Sequence, residues 1–141
     1  FQLFQEIIKN VQSQIGTEIS VVEFHNKSRR AVRESLNMID FLLMTSLSEG
    51  SPQIVKEALS CNTPIISSNV GDVKKLLEGV DNCYLVDSFK AVDYLEPILK
   101  ILKHESIKVR STGRQQIFLL QLDEKSISER IYSEYIKLIK C

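Results

Sequence analysis

An α/β fold, in which a parallel sheet carries helices on both faces, is the architecture this sequence predicts, and three observations point to it. Compact apolar runs at residues 41–44, 64–66 and 83–86 alternate strictly with segments of helical period. The runs are continuously apolar, as strands covered on both faces are. The connections are short, so successive strands join through helices as parallel βαβ units of a doubly wound sheet. Ligands of such sheets lie outside the carboxyl ends of the strands.

Residues 1–15 place Leu3, Phe4, Ile7, Ile8, Val11 and Ile15 near the helical period, and Gly16 suits the left-handed residue that closes a helix. Residues 19–24 read as a short strand and 25–28 as a loop, with Ser28 capping a helix whose buried stripe includes Val32, Leu36 and Ile39. The run at 41–44 leads into a Gly-Ser-Pro corner at 50–52, a helix over 52–61 and the second run at 64–66. Gly71 breaks the chain, 73–78 forms a short helix ended by Gly79, and residues 83–86 form the third strand. The last third is helical: 91–103 with Pro97 as an interior break or restart, a weaker segment around Gly113, and 127–140. Ser126 and Glu129 form a capping box for that final helix, whose stripe of Ile131, Tyr135, Leu138 and Ile139 needs a surface to cover.

Composition narrows the function. With 141 residues, 43% of them hydrophobic, the chain builds one domain with a real core. Lys plus Arg and Asp plus Glu number 18 each, and no long basic run appears, so nucleic acid is not an expected partner. Cys61, Cys83 and Cys141 have neither C-x-x-C nor Cys/His spacing, which argues against a disulfide framework or a zinc site and fits a reducing cytoplasm. No apolar stretch approaches the roughly 20 residues a membrane span needs. The chain lacks an initiator methionine and opens inside a helical pattern, which reads as a piece cut from a longer protein.

The chemistry concentrates at the corner between Glu49 and Glu57. Ser51 is placed to cap the helix and Pro52 to take its first position, where a fixed φ is preorganised and the missing N–H is no loss. The free N–H groups of Gln53, Ile54 and Val55, with the positive end of the helix dipole, favour an anion, and Gly50 lets backbone approach it. Ile54, Val55, Ala58 and Leu59 form the stripe turned to the sheet, which leaves Glu57 on the flank with Gln53 one turn before it. A carboxylate accepts two hydrogen bonds at once and so suits the vicinal hydroxyls of a ribose or hexose. Two carboxylates flanking a diphosphate site suit a sugar nucleotide. Glutamates are also common on solvated helix faces; the strand–turn–helix setting is what favours a site.

The stretch IDFLLMTSLSEGSPQIVKEALSCNTPIISSNVGDVKKLL resembles the nucleotide-sugar-binding half of retaining glycosyltransferases of the GT-B fold, family four (glycosyl transferases group 1). The likeness is carried by the serine ending the strand, the Glu-Gly-x-Pro turn, the second Glu after seven residues, the Ala that follows, and the Pro-Ile-Ile strand with its Asn-Val-Gly. Fainter similarity extends back to Val21 and forward through Tyr84, Leu85 and Val86 to the terminal helix. The resemblance implies one half of a two-domain, Rossmann-like three-layer enzyme, residues 1–141 being a truncated C-terminal donor-binding domain. It implies that Glu57 binds the donor ribose and that Glu49 contacts the transferred sugar near the reacting centre, in a catalytic role. Gly50, Ser51, Pro52, Gln53 and Ile54 would meet sugar and diphosphate, and Phe24 and His25 would lie by the base. The implied reaction is hexosyl transfer from a nucleoside-diphosphate sugar, with retention and with neither metal nor cofactor, to a glycan or lipid-linked acceptor in polysaccharide biosynthesis. The implied place is the cytoplasm, with peripheral association at the inner membrane face. In relatives a Gly-Arg pair and a Lys on the first strand–loop–helix of this half hold the diphosphate. That segment and the acceptor domain would both precede Phe1, so the chain alone is expected to be inactive.

Other residues invite less. His25 and His104 lack Ser or Cys partners in a triad pattern and read as surface histidines. Arg29, Arg30 and Arg33, like Lys74 and Lys75, read as solvated faces, and Cys61 as a buried small hydrophobe. A sugar-nucleotide epimerase would need a further carboxylate and histidine set. A non-catalytic nucleotide-binding or receiver-like module remains the reading from another class, although Asp40 precedes its strand where a receiver needs an aspartate at the strand end.

Overall fold

The computed structural model of the chain describes residues 2–103 and 108–139. His104 and the end of the expected terminal helix at residue 140 lie outside them. Three strands, β1 (Leu42–Met44), β2 (Ile65–Ser68) and β3 (Cys83–Val86), pair in parallel in the order β1-β2-β3. Leu42 pairs with Ile65, and Ile65 in turn with Cys83. The helices are α1 (Gln2–Ile15), α2 (Arg29–Met38), α3 (Gln53–Ser60), α4 (Val73–Leu77), α5 (Leu95–Leu102), α6 (Gly113–Leu119) and α7 (Glu124–Ile139). A 3-10 turn, Ala91–Tyr94, precedes α5.

The period of two along each strand divides the core in two. Leu42, Met44 and Ile65 turn to one face, where they meet Val32 and Leu36 of α2, Val55, Ala58 and Leu59 of α3, Val73, Leu76 and Leu77 of α4, and Ile117 of α6. Ile66 and Val86 turn to the other, against Ile7 and Val11 of α1, Tyr94, and Ile98 and Ile101 of α5. The result is the three-layer α/β sandwich that the continuous apolar runs require. Each fully buried Leu or Ile contributes about 1.5–3 kcal/mol, so central β2, buried at all four residues, anchors the fold.

Local signals behave largely as the sequence reads. Gly16 takes a positive φ of 67° after α1, and Ser28 caps α2 by accepting from the Ala31 N–H at 3.3 Å. Two expectations are corrected and one is narrowed. Residues 19–24 join no ladder among the described residues; Val21 and Val22 stay exposed at 46% and 39%, because β-branched residues supply propensity but not a pairing partner. Of the two readings of Pro97 the restart is the one observed: a 3-10 turn gives way to α5 at Leu95, and the proline sits in the first turn of α5, where its missing N–H costs no bond. The capping box of Ser126 and Glu129 does not form. Helix α7 begins earlier, with the Asp123 carboxylate accepting from the Ser126 N–H at 3.1 Å and from the Ser126 hydroxyl at 2.5 Å. Ser126 is thus a third-position residue of a helix capped by aspartate, a stronger acceptor than serine.

Candidate functional site

The Glu49–Pro52 corner lies at the carboxyl end of β1 and is fastened to the loop after β2. The Asp72 N–H donates to the Gly50 carbonyl at 3.0 Å, and the Ser51 hydroxyl donates to Asp72 Oδ2 at 2.5 Å. Gly71 makes this approach feasible: a Cβ there would stand 2.1 Å from the Gly50 oxygen and 2.6 Å from the Glu49 oxygen, and its φ is +55°. The second loop is held to the first by a further bond, the Ser68 hydroxyl donating to the Ser46 carbonyl at 2.7 Å. A Cβ on Gly50 would meet nothing within 4 Å, so the outer side of the corner is open. Glu49 is exposed beside it, one carboxylate oxygen accepting from the Ser46 hydroxyl at 2.9 Å.

The helix start differs by one residue from the sequence reading. Pro52, with ψ of 118°, is the extended residue flanking α3, and Gln53 is the first helical residue. Ser51 therefore does not cap α3; its hydroxyl is captured by the carboxylate of Asp72. The Val55 N–H is also taken, by the Pro52 carbonyl at 3.2 Å, so the amides left at the open helix start are those of Gln53 and Ile54. Pro52 itself is buried and Ile54 half-buried against the core, so both act through backbone placement.

Beyond the corner, one flank of α3 opens on a cleft of about 510 Å³. Gln53, Lys56, Glu57 and Ser60 line it from α3, recurring at helical spacing, and Arg29, Arg30 and Arg33 face them from the first turns of α2. Ile117, Leu122 and Ile127 form an apolar wall. The structure thus brings Gln53 and Glu57 together with three arginines that sequence reasoning set aside as a solvated face. Their spacing of i, i+1 and i+4 at a helix start was the available signal; that α2 and α3 pack side by side was not legible. Arg30 pairs with Glu34 at 2.8 Å, whereas Arg29, Arg33 and Lys56 have no ion pair among the described residues. Cys61 closes the cleft below Glu57; burial pushes its thiol up, while Arg114 and Arg33 pull it down.

Glu49, Gly50 and Ser51 stay on the corner and do not line the cleft. Phe24 packs half-buried against the α2–α3 side of the core with the Lys27 ammonium 5.9 Å from its ring, and His25 is exposed in the turn that follows; neither lines the cleft. A second cavity, bounded by Gly71, Asp72, Lys74, Lys75 and Cys83, lies on the far side of the Asp72 loop. Among the described residues no group of three His, Cys, Asp or Glu side chains is placed to hold a metal ion, and no helix is long and apolar enough to cross a membrane.

Comparison with known proteins bears on the family of this fold. Residues 5–104 match the family model described as glycosyl transferases group 1. Among curated proteins, the chain is 26% identical over 106 residues to the N-acetyl-alpha-D-glucosaminyl L-malate synthase of Bacillus anthracis, covering 74% of this chain and 26% of that protein. It is 27% identical over 82 residues to an uncharacterized glycosyltransferase of Methanocaldococcus jannaschii, covering 58% of this chain and 23% of that protein. The chain thus spans about a quarter of the length of these relatives. With a family match over residues 5–104 laid on a three-layer parallel α/β sandwich, the chain belongs to the group 1 glycosyltransferases.

Proposed function

We propose that this chain is the donor-binding half of a retaining GT-B glycosyltransferase that moves a hexosyl group from a nucleoside-diphosphate sugar to a glycan or lipid-linked acceptor, working in the cytoplasm at the inner membrane face. The observation that carries the reading is Glu57 on the open flank of α3, one turn after Gln53 and the start of a helix aimed outward from the sheet. In that arrangement Glu57 holds the ribose hydroxyls, the Gln53 and Ile54 amides with the helix dipole face the diphosphate, and Glu49 on the corner contacts the donated sugar.

The leaving diphosphate is stabilised electrostatically, so neither glutamate needs to become covalently attached. Further cations and an acceptor domain from the longer protein complete the reaction, so no transfer is expected from the chain alone. The Bacillus anthracis relative is named for joining an N-acetylglucosaminyl group to L-malate, which adds small hydroxy acids to the acceptors worth screening.

An NMR titration of the chain with UDP, GDP and their sugar forms tests the donor site. The amides of Gly50, Gln53 and Glu57 are expected to shift. Glu57→Gln is expected to weaken binding about tenfold, the scale of one hydrogen bond to a charged group. Loss of the 2′ and 3′ hydroxyls from the ligand should weaken the wild type but not the variant. Shifts confined to the far cavity by Lys74 and Lys75, or equal affinity for ribose and dideoxyribose forms, would overturn the assignment.

A further inference from the structure

The cleft between α2 and α3 offers more than a seat for a ribose. Its lining is of three kinds: Arg29 and Arg33 on α2, Glu57 on α3, and the aliphatic group Ile117, Leu122 and Ile127. Resting on the donor-site reading above, the ligand has a direction. Phosphates lie at the start of α3, and Glu57, four residues along a helix that rises 1.5 Å per residue, takes the ribose about 6 Å away. From Glu57 the base then reaches across the cleft to the first turns of α2, which carry Arg29 and Arg33. Arg33, Glu57 and Cys61 all line this one cleft.

A guanidinium has donors and no acceptor, and it stacks on flat rings as well as bonding to their edges. The one carboxylate here is engaged by the ribose. Among the described residues neither Arg29 nor Arg33 is held in an ion pair, so both are available to a ligand. The base edge that meets them must accept hydrogen bonds. Guanine presents O6 and N7 and uracil presents O4, whereas adenine and cytosine put an amino group at that position.

We infer that Arg29 and Arg33 form the base-reading wall of this cleft and select oxo bases, guanine or uracil, over the amino bases adenine and cytosine. Phe24 and His25, which the resemblance implies lie by the base, do not line the cleft.

The test is the affinity of the chain for GDP, UDP, ADP and CDP, by calorimetry or NMR, for wild type, Arg29→Ala/Arg33→Ala and Glu57→Gln. GDP and UDP are expected to bind about tenfold tighter than ADP and CDP, the lower part of what one bidentate contact discriminates. The double arginine variant is expected to bring the four together while keeping its ribose dependence. Both arginines are exposed, so the variant should keep the wild-type unfolding midpoint. If wild type binds all four equally and Glu57→Gln weakens all four, the ribose site stands and the base assignment is overturned. Selectivity that survives loss of both arginines would overturn the base assignment as well. If no diphosphate binds, or Glu57→Gln changes nothing, the donor-site reading fails and takes this inference with it.

Discussion

Gly71 is the residue on which the corner depends, because the Glu49 and Gly50 carbonyls occupy the space its side chain would need. Alanine there adds left-handed strain to a backbone clash, and the expected loss is about 3 kcal/mol. Gly79 has an equally positive φ, +70°, but a Cβ would meet nothing within 4 Å, so Gly79→Ala is expected to lose about 1 kcal/mol from strain alone. Urea unfolding of the two variants, with unchanged slopes, measures the difference; equal losses would mean that the close approach at Gly71 is not real. The Asn-Val-Gly in the sequence marked this glycine, but which backbone it would meet depends on the pairing of β1 with β2 and was not legible. Cys83 supplies a second residue-scale prediction. Burial, outweighing its hydrogen bonds to Ile65 and Ser111, pushes the thiol from 9.0 up to about 11. The folded state thus keeps a proton that the unfolded chain releases, so this contribution is whole below pH 9 and is lost as pH rises through about 11, by roughly 3 kcal/mol. Tyr94 and Cys61, raised by the same cause, add to the alkaline fall. Urea midpoints measured between pH 8 and 11 should fall less steeply for Cys83→Val; an identical slope would show that the thiol is not protected.

At the scale of elements, periodicity was the legible part and partnership the illegible part. The stripes of α1, α2 and α3 follow from spacing alone because a helix writes its buried face every three to four residues. Residues 19–24 have the composition of a strand, yet strand formation depends on a neighbour that local sequence does not name. Cap positions failed for a related reason. Ser51 and Ser126 are both good caps by type, and in each case an aspartate, Asp72 or Asp123, takes the serine hydroxyl. The Ser126 hydroxyl bond and then its N–H bond hold the Asp123 carboxyl below the usual carboxylate range. A depressed folded pKa means that the cap is fully present above the ordinary aspartate range and is lost as pH falls through the lowered value. Asp123→Ala is therefore expected to speed amide exchange across α7 severalfold at neutral pH, with little effect once acid has protonated the wild-type cap. An unchanged exchange rate at neutral pH would show that Asp123 does not hold the start of α7.

For the molecule as a whole, stability should be divided unevenly between the sandwich and its last helix. Strand β2 is buried throughout and shared by both halves of the core, whereas α7 has no buried residue among those described. Ile131, Tyr135, Leu138 and Ile139, the stripe the sequence marked as needing a surface, are 51%, 63%, 74% and 77% exposed. Helix α7 has 16 residues, and a helix of that length without packing is marginal in water, because helical stability in proteins comes mostly from a buried face. The helix should therefore open without the rest of the fold unfolding. On the donor-half reading, residues 127–139 cover part of the acceptor domain in the longer enzyme, which would supply the missing contacts. Hydrogen exchange separates these levels: residues 127–139 should exchange within the earliest time points in the chain alone, while Ile65–Ser68 exchange at the rate of global unfolding. In the full-length protein residues 127–139 should become protected, and the sheet should change little. Protection of 127–139 in the chain alone would mean that the stripe is already covered, by self-association or by a packing different from the one described. Fast exchange in both proteins would remove α7 as a link between the two halves, leaving the corner and the α2–α3 cleft to carry the donor-half reading alone.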